Sequence, residues 1–520
     1  MAAAPPLDLA RAHRLLARAA YGARPSEAET LARSGLDPWL DRQLALPAEE
    51  PAVEARIDAL AIPIRYAPGP GEQWSDEVRP PLALRQSQAE RWRLADFRPA
   101  YRAPGAERDR PRLELTLATL LRKVAAEAQL RERLVEFWHD HFSLAYQADG
   151  RVSVSLPDHD RRIRAHALGS FRALLEAMAT SPAMLFYLNN ESSRAGAPNE
   201  NYARELLELH TMGRAAYRGS ARSGREVPRL PDGRPAFYVD ADVWEAARAL
   251  TGWSVANGQN FDGARTLPRS GEFTYVAAWH DPYQKRFLGQ DLDPFAPAMA
   301  HGRAVLDALA AHPATARFLC TKLARFLLGD PAPPAAIVRA EAAWMRHAGQ
   351  EDQIAQVVRA LLTGPEASDP AIFRIRRPVD VMAAAARALD LPFTPAPALI
   401  GQLAMAGQVP FGWLPPDGQP VEGETYLGAT ALRARWTMVL ALARNAGGAG
   451  LSPHYAELAH APAEAAVRRL AALALGPAGA PVAETVAGVW TAAGRAARPG
   501  PAEVAELAGW VLNAPAFQIA

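Results

Sequence analysis

Along most of the chain, apolar residues recur at three- and four-residue spacing, the pattern of amphipathic helices with one buried face. The longest such run covers residues 111–146, where Leu117, Leu121, Val124, Leu130, Leu134 and Phe137 repeat in phase. Shorter runs predict helix pairs over 7–46 and 159–190, the second broken at Ser181-Pro182. Further helices are expected over 84–97, 241–251, 301–328, 335–347, 351–363, 378–390 and 427–445. Proline and glycine punctuate the rest. Residues 62–83 read as a loop, 214–240 as an irregular insertion, and 407–420 as a Pro/Gly segment. The best strand candidate is 272–276, which suggests a small hairpin. The tail from 452 is rich in alanine and high in helix propensity. The expected fold is therefore mainly α: a large multi-helix body with long loops and at most a small β-hairpin. It divides into 1–110, 111–300 with the candidate site, 301–450, and an Ala-rich tail over 451–520.

Composition narrows the class. The chain has 520 residues, 49% of them hydrophobic and 22% charged, enough to bury a substantial core. Its formal net charge is +1, so no global field draws it to nucleic acid or to an anionic membrane. Arginine greatly outnumbers lysine. The single cysteine, Cys320, sits in an apolar helical run and reads as a buried thiol; clustered-cysteine metal sites are excluded. No uninterrupted apolar run reaches the length of a membrane span. The first residues, MAAAPPLDLARAHRLLARAAYG, interrupt their apolar positions with charge and lack the apolar stretch of a signal peptide. The expectation is a cytoplasmic protein, or an exported one whose leader has been trimmed.

Three segments carry residues suited to chemistry. In 136–142, Glu136, His139 and Asp140 share a helix face. His141 lies roughly 140° round from Glu136, beside Phe137 and Trp138. The polar face reads as solvated and His141 as a core histidine. In 198–213, Asn199 suits an N-cap and Gly213 a stop. Asn201, Arg204, Glu205 and Glu208 form one stripe, with Ala203, Leu206, Leu207 and His210 opposite. Two carboxylates beside an amide and a guanidinium suit a general acid and base, or simply a stripe of surface ion pairs. In 240–253, Asp242 is a plausible cap with Glu245 in its first turn. Trp253 serves either as core or as the wall of a sugar cleft. If the apolar faces of the first two segments meet, His141 and His210 meet as well. His280, followed by Asp281, would supply a third ligand for a divalent metal ion, the one cofactor these residues suggest. Phosphate-binding loops, serine-nucleophile elbows and dinucleotide fingerprints are absent.

Taken in order, these segments resemble the bacterial family known as domain of unknown function 1800. The likeness begins at Arg14 to Gly22, runs through 136–142, 181–185 and 199–213, and continues with Leu250 to Trp253, His280-Asp281, Lys285 and Gly289. It ends at Gly407-Gln408 and Pro415-Pro416. The resemblance implies a large helical body and carries no activity with it. It marks the positions of His141, Glu205, Glu208, His210 and His280 as characteristic. Many members look exported, and many are encoded beside a second protein resembling sulfatases and phosphatases. This chain departs from the pattern in showing no export signal and in carrying more proline over 407–420.

Two functions fit. One is an enzyme, hydrolase- or lyase-like, on a polar polymer such as a glycan. Glu205 and Glu208 would be acid and base, with Arg204 and Asp281 assisting and Asn201 and Trp253 binding substrate. His141, His210 and His280 would hold the metal. The other is a non-catalytic scaffold or maturation partner of a second bacterial protein of the sulfatase/phosphatase type. Neither involves nucleic acid or a membrane span.

Overall fold

The computed structural model describes residues 7–67, 75–96, 103–221, 226–444 and 452–520. Helices dominate it, and the strands form three separate two-stranded antiparallel ladders: β1 (Ile62–Tyr66) with β2 (Ser75–Arg79), β3 (Trp253–Asn257) with β4 (Arg269–Tyr275), and β5 (Lys285–Phe287) with β6 (Gln290–Leu292). The expected mainly-α class holds. The strand candidate at 272–276 falls at the end of β4, paired in register from Trp253↔Tyr275 to Val255↔Phe273.

Five helices position the site. They are α1 (Gly105–Ala125), α2 (Gln129–His141), α3 (Glu200–Glu208), α4 (Pro313–Leu327) and α5 (Pro378–Ala388). The centre of the molecule is α2, which has no solvent face along most of its length. Leu130, Leu134, Phe137 and Trp138 pack into the largest apolar core with Phe171, Trp344 and Cys320. Phe137 and Trp138 meet edge to face at 4.8 Å, and Phe171 lies 6.0 Å from Trp138. Burial of each such side chain contributes about 1.5–3 kcal/mol. The other face of α2 meets α1 and α5, where Leu117, Leu121 and Met382 form a second core. A third core joins Val381 of α5 to the tail helices Ala463–Leu475, Ala480–Ala492 and Pro501–Leu512.

Local chemistry sets the boundaries. The Asn199 side chain accepts from the Tyr202 amide at 3.0 Å and starts α3. The helix stops at Glu208, short of the expected glycine, and Gly213 instead turns with φ +82° where a Cβ would lie 2.7 Å from the Phe318 ring. The helix expected to be capped by Asp242 begins at Asp240. Asp242 sits inside it and accepts from the Val239 and Leu288 amides, both at 3.0 Å. Part of 62–83 is the β1/β2 hairpin, not loop; β1 does alternate, with Ile62 and Ile64 buried and Pro63 and Arg65 exposed, but its proline reads as loop, and the charged β2 shows no alternation. Residues 68–74 between them lie outside the described residues. The helix expected over 84–97 is shorter, a capped turn at Gln88–Arg91 running into a 3-10 turn at Trp92–Ala95.

The last residues return to the middle of the chain. Arg374 and Ala520 exchange two backbone hydrogen bonds of 2.9 Å, and the Arg376 amide donates to Gln518 at 2.8 Å. Ala463–Ala492 is long and apolar enough in composition to cross a membrane, with half of its apolar 18-residue stretch buried inside the protein. The turn at Gly476–Gly479 divides it into two helices that pack on each other.

Candidate functional site

The polar face of α2 is buried, not solvated. Glu136 accepts from Arg377 at 2.5 Å, pairs with Lys123 at 2.9 Å and Arg133 at 3.1 Å, and accepts from the Tyr21 hydroxyl. Arg377 also reaches Asp140 at 2.6 Å, while Arg133 and Arg374 both hold Asp380 at 2.7 Å. Burial raises the proton affinity of Glu136, but the three cations outweigh it and bring the carboxyl down to about 2. Asp140 shifts the other way, pushed up by burial and by Glu136 against the pull of Arg377. One turn away, His139 meets Asp160 at 2.9 Å, and Arg164 joins Asp160 to Glu132. Helical phase places these groups on one face. Arg377, which binds both Glu136 and Asp140, comes from more than 200 residues further along the chain, and Tyr21 from more than 100 before, which is why local pattern reads the face as solvated.

A strap formed by residues 407–420 crosses the end of α2. The Gln408 side chain accepts from the Val379 amide at 2.9 Å, and the Phe411 carbonyl accepts from Tyr146 at 3.2 Å. Tyr187 donates its hydroxyl to the Leu414 carbonyl at 2.7 Å, and the Phe411 ring lies 4.9 Å from His139. Gly418, at φ +89°, comes so near that a Cβ would lie 1.9 Å from the Asp140 carbonyl oxygen. Beneath the strap are two cavities. The smaller, about 60 Å³, is lined by Lys123, Glu136, His139, Asp140, Phe411 and Trp413. The other, about 210 Å³, is lined by Asp140, His141, Lys322, Arg325, Asp417 and Glu422.

His141 and His210 do meet, with ring centroids 6.0 Å apart. The His210 carbonyl lies 3.0 Å from His141 Nε2; a carbonyl only accepts, so Nε2 carries the hydrogen. Nδ1 therefore accepts from Lys322 Nζ at 3.1 Å. Burial, then Lys322, holds His141 well below the usual imidazole range and brings His210 to about 3. Burial also pushes Lys322 down to about 8, with Asp140 and Asp417 pulling it back. Sequence pattern did not single out Lys322, because one lysine on an amphipathic helix reads as a surface residue.

His280 stands elsewhere. Its Nδ1 faces the Thr251 carbonyl at 2.9 Å and its Nε2 faces His301 Nδ1 at 2.8 Å. Both ring nitrogens of His141 and of His280 are thus engaged. Among the described residues no three His, Cys, Asp or Glu side chains are placed to hold a metal ion. The expected three-histidine ligand set does not fit this arrangement. Trp253 is also corrected: fully buried, its ring fills the space beside Gly302, so it cannot wall a sugar cleft. Asp281 is held by Arg248 in a two-pronged pair at 3.0 Å and by Lys285 at 3.3 Å, and these donors outweigh burial to lower its pKa. It is structural in this setting.

The α3 stripe divides. Asn201 is exposed. Arg204 pairs with Glu200 at 2.6 Å and lies 3.6 Å from Asp240. Glu208 has Arg214, a mostly exposed side chain, at 3.8 Å. Glu205 is half-buried, and its carboxylate has no hydrogen-bond or ion-pair partner among the described residues. Burial, then Glu208, raises its pKa, Asp417 of the strap adding to the effect and Arg204 opposing it. The same two acids, Glu205 and Asp417, act on the nearby Tyr187 phenol.

Fold and site together define a large, mainly helical protein built round a buried ionic hub, with a Pro/Gly strap over polar cavities. The model of the family described as "Protein of unknown function (DUF1800)" matches residues 14–519, and the chain belongs to that family. Neither a curated protein nor a solved structure matches it.

Proposed function

We propose that the protein is an enzyme, hydrolase- or lyase-like, that acts on a polar polymer, most simply a glycan, by acid–base chemistry along the stripe between α3 and the strap. Glu205 carries the reading. A half-buried carboxyl with no partner among the described residues and an upward-shifted pKa is held ready to donate a proton, whereas a structural glutamate in this position would be paired. Glu208, one helical turn on, supplies the second carboxylate, and Asp417 closes the group from the strap. Arg204 and Asp281 have fixed ion-pair partners and take no part in the chemistry.

The test is a panel of neutral and anionic polysaccharides incubated with the full chain, read as new reducing ends or unsaturated products. Cleavage of at least one polymer is expected. Glu205→Gln is expected to lower that rate by at least about 100-fold, the usual scale of general acid–base catalysis. Arg204→Ala should leave it within a few-fold. Activity surviving in Glu205→Gln would overturn the assignment.

One observation favours the second reading, a scaffold for a sulfatase/phosphatase-like partner. Met405 is 65% exposed at the edge of a groove of about 410 Å³ between Pro397–Met405 and Ala429–Ala443. A panel without cleavage, together with a native partner that co-purifies with the wild-type chain and is lost from Met405→Asp, would select this reading.

A further inference from the structure

The chain contains only three lysines among its 57 basic side chains. None stands on the open surface: Lys123 and Lys285 are buried and Lys322 is half-buried. Where a permanent charge suffices, this protein uses arginine. An amine differs from a guanidinium in one respect that matters to chemistry, because it can shed its proton and become a nucleophile.

Two of the three amines are committed to anions and carbonyls. Lys123 pairs with Glu136 at 2.9 Å. Lys285 donates to the Asp281 and Tyr283 carbonyls at 2.6 and 2.8 Å and reaches the Asp281 carboxylate at 3.3 Å. Lys322 is different. No carboxylate among the described residues lies within ion-pairing distance of its Nζ. Its hydrogen-bond partner is a neutral ring nitrogen, His141 Nδ1, in a tautomer locked by the His210 carbonyl. The Phe318 ring lies 5.5 Å from Nζ, and the amine borders the cavity of about 210 Å³. One N–H points to His141, which leaves the lone pair of the neutral amine free to face that cavity.

We propose that Lys322 is a carbonyl-reactive amine, and that the cavity beneath Asp417–Glu422 takes a small polar aldehyde or ketone as an imine. The downward-shifted pKa supports a sizeable neutral fraction near physiological pH. The ammonium first gives one proton to solvent. The amine lone pair then forms the C–N bond to the carbonyl carbon, and the carbonyl oxygen takes up a proton. The C–O bond breaks as water leaves, carrying both hydrogens of the neutral amine, and the imine remains. Asp140 and Asp417 border the cavity as carboxylates that can pass the amine hydrogens to the departing oxygen, and Arg325 sets its polar end. This chemistry does not depend on polymer cleavage by Glu205.

The scarcity of lysine makes the test clean. The folded full-length chain is treated with glyceraldehyde or pyruvate and cyanoborohydride, which reduces an imine to a stable amine. Adducts are located by peptide mass mapping. The expected result is an adduct at Lys322 at least tenfold faster than at Lys285, rising in rate as pH passes about 8. Lys322→Arg should remove it while the melting temperature stays near the wild-type value. Labelling of Lys322 no faster than Lys285, or only in urea, would overturn the proposal. Since trapping needs no turnover, a failed polysaccharide panel leaves this result readable.

Discussion

Two glutamates, Glu136 and Glu205, lie in opposite environments, and their variants should behave oppositely. Glu136 neutralises Arg377, Lys123 and Arg133 inside the protein. Glu136→Gln leaves those cations without their counter-charge and is expected to cost about 3–5 kcal/mol in urea unfolding. Glu205 has no such partners. Its folded pKa is raised, so its ionised form is disfavoured by folding, and the loss of stability sets in as pH rises above the unfolded value. Glu205→Gln should therefore keep or slightly raise the melting temperature at pH 7. A drop of more than a few degrees would show that the carboxylate has a structural partner. The pH dependence of Glu136 runs the other way. With its folded pKa depressed to about 2, its contribution is full above the ordinary carboxyl range and is lost as pH falls from about 4.5 toward 2. Acid titration should show cooperative unfolding in that window, and Glu136→Gln should flatten it.

Among the elements, the strap and the helix beside it give a matched pair of glycine tests. Gly418 combines a positive φ with a carbonyl 1.9 Å from any added Cβ. Gly418→Ala should cost more than about 1 kcal/mol and expose residues 407–420 to protease. Gly401, on the exposed side of Pro397–Met405, has nothing within 4 Å of an added Cβ. Gly401→Ala should stabilise by about 1 kcal/mol. Equal effects in thermal melts would contradict the strap geometry. At this scale the sequence was informative where one periodicity ruled. Phase alone placed His141 and His210 on apolar faces that do meet, and it placed the ladder strand at 272–276. It failed at β1, where Pro63 on the exposed side reads as loop, and at β2, where Asp76 and Glu77 leave no alternation. It also misjudged Glu136 and Asp140, because periodicity groups residues on a face without saying what covers that face.

For the whole molecule, the closing contact lies between the chain end and residues 374–376. Ala520 and Gln518 pair with Arg374 and Arg376, and the Arg376 guanidinium donates to the Phe517 carbonyl at 2.8 Å. Arg374 in turn holds Asp380 of the hub. Deleting residues 515–520 should thus lower stability by several kcal/mol, although no residue of the candidate site is removed. An unchanged urea midpoint would show that the hub is independent of the tail. None of this closure was legible beforehand. Arg377, Asp380 and the chain end bear no local mark that pairs them with α2, and only the packed fold brings them there. The three-histidine idea failed for the same reason, since His280 and His301 find each other through tertiary placement.

The enclosure of all three lysines has a consequence for the protein in solution. Its outward-facing cationic side chains are guanidinium groups, which keep their proton at any pH a protein survives. Between the histidine range and the onset of tyrosine ionisation, the outer shell has almost nothing left to titrate. Across mildly alkaline buffers Lys322, pushed down to about 8, is the one lysine amine that loses its proton, so the net charge of +1 should fall by only about one unit there.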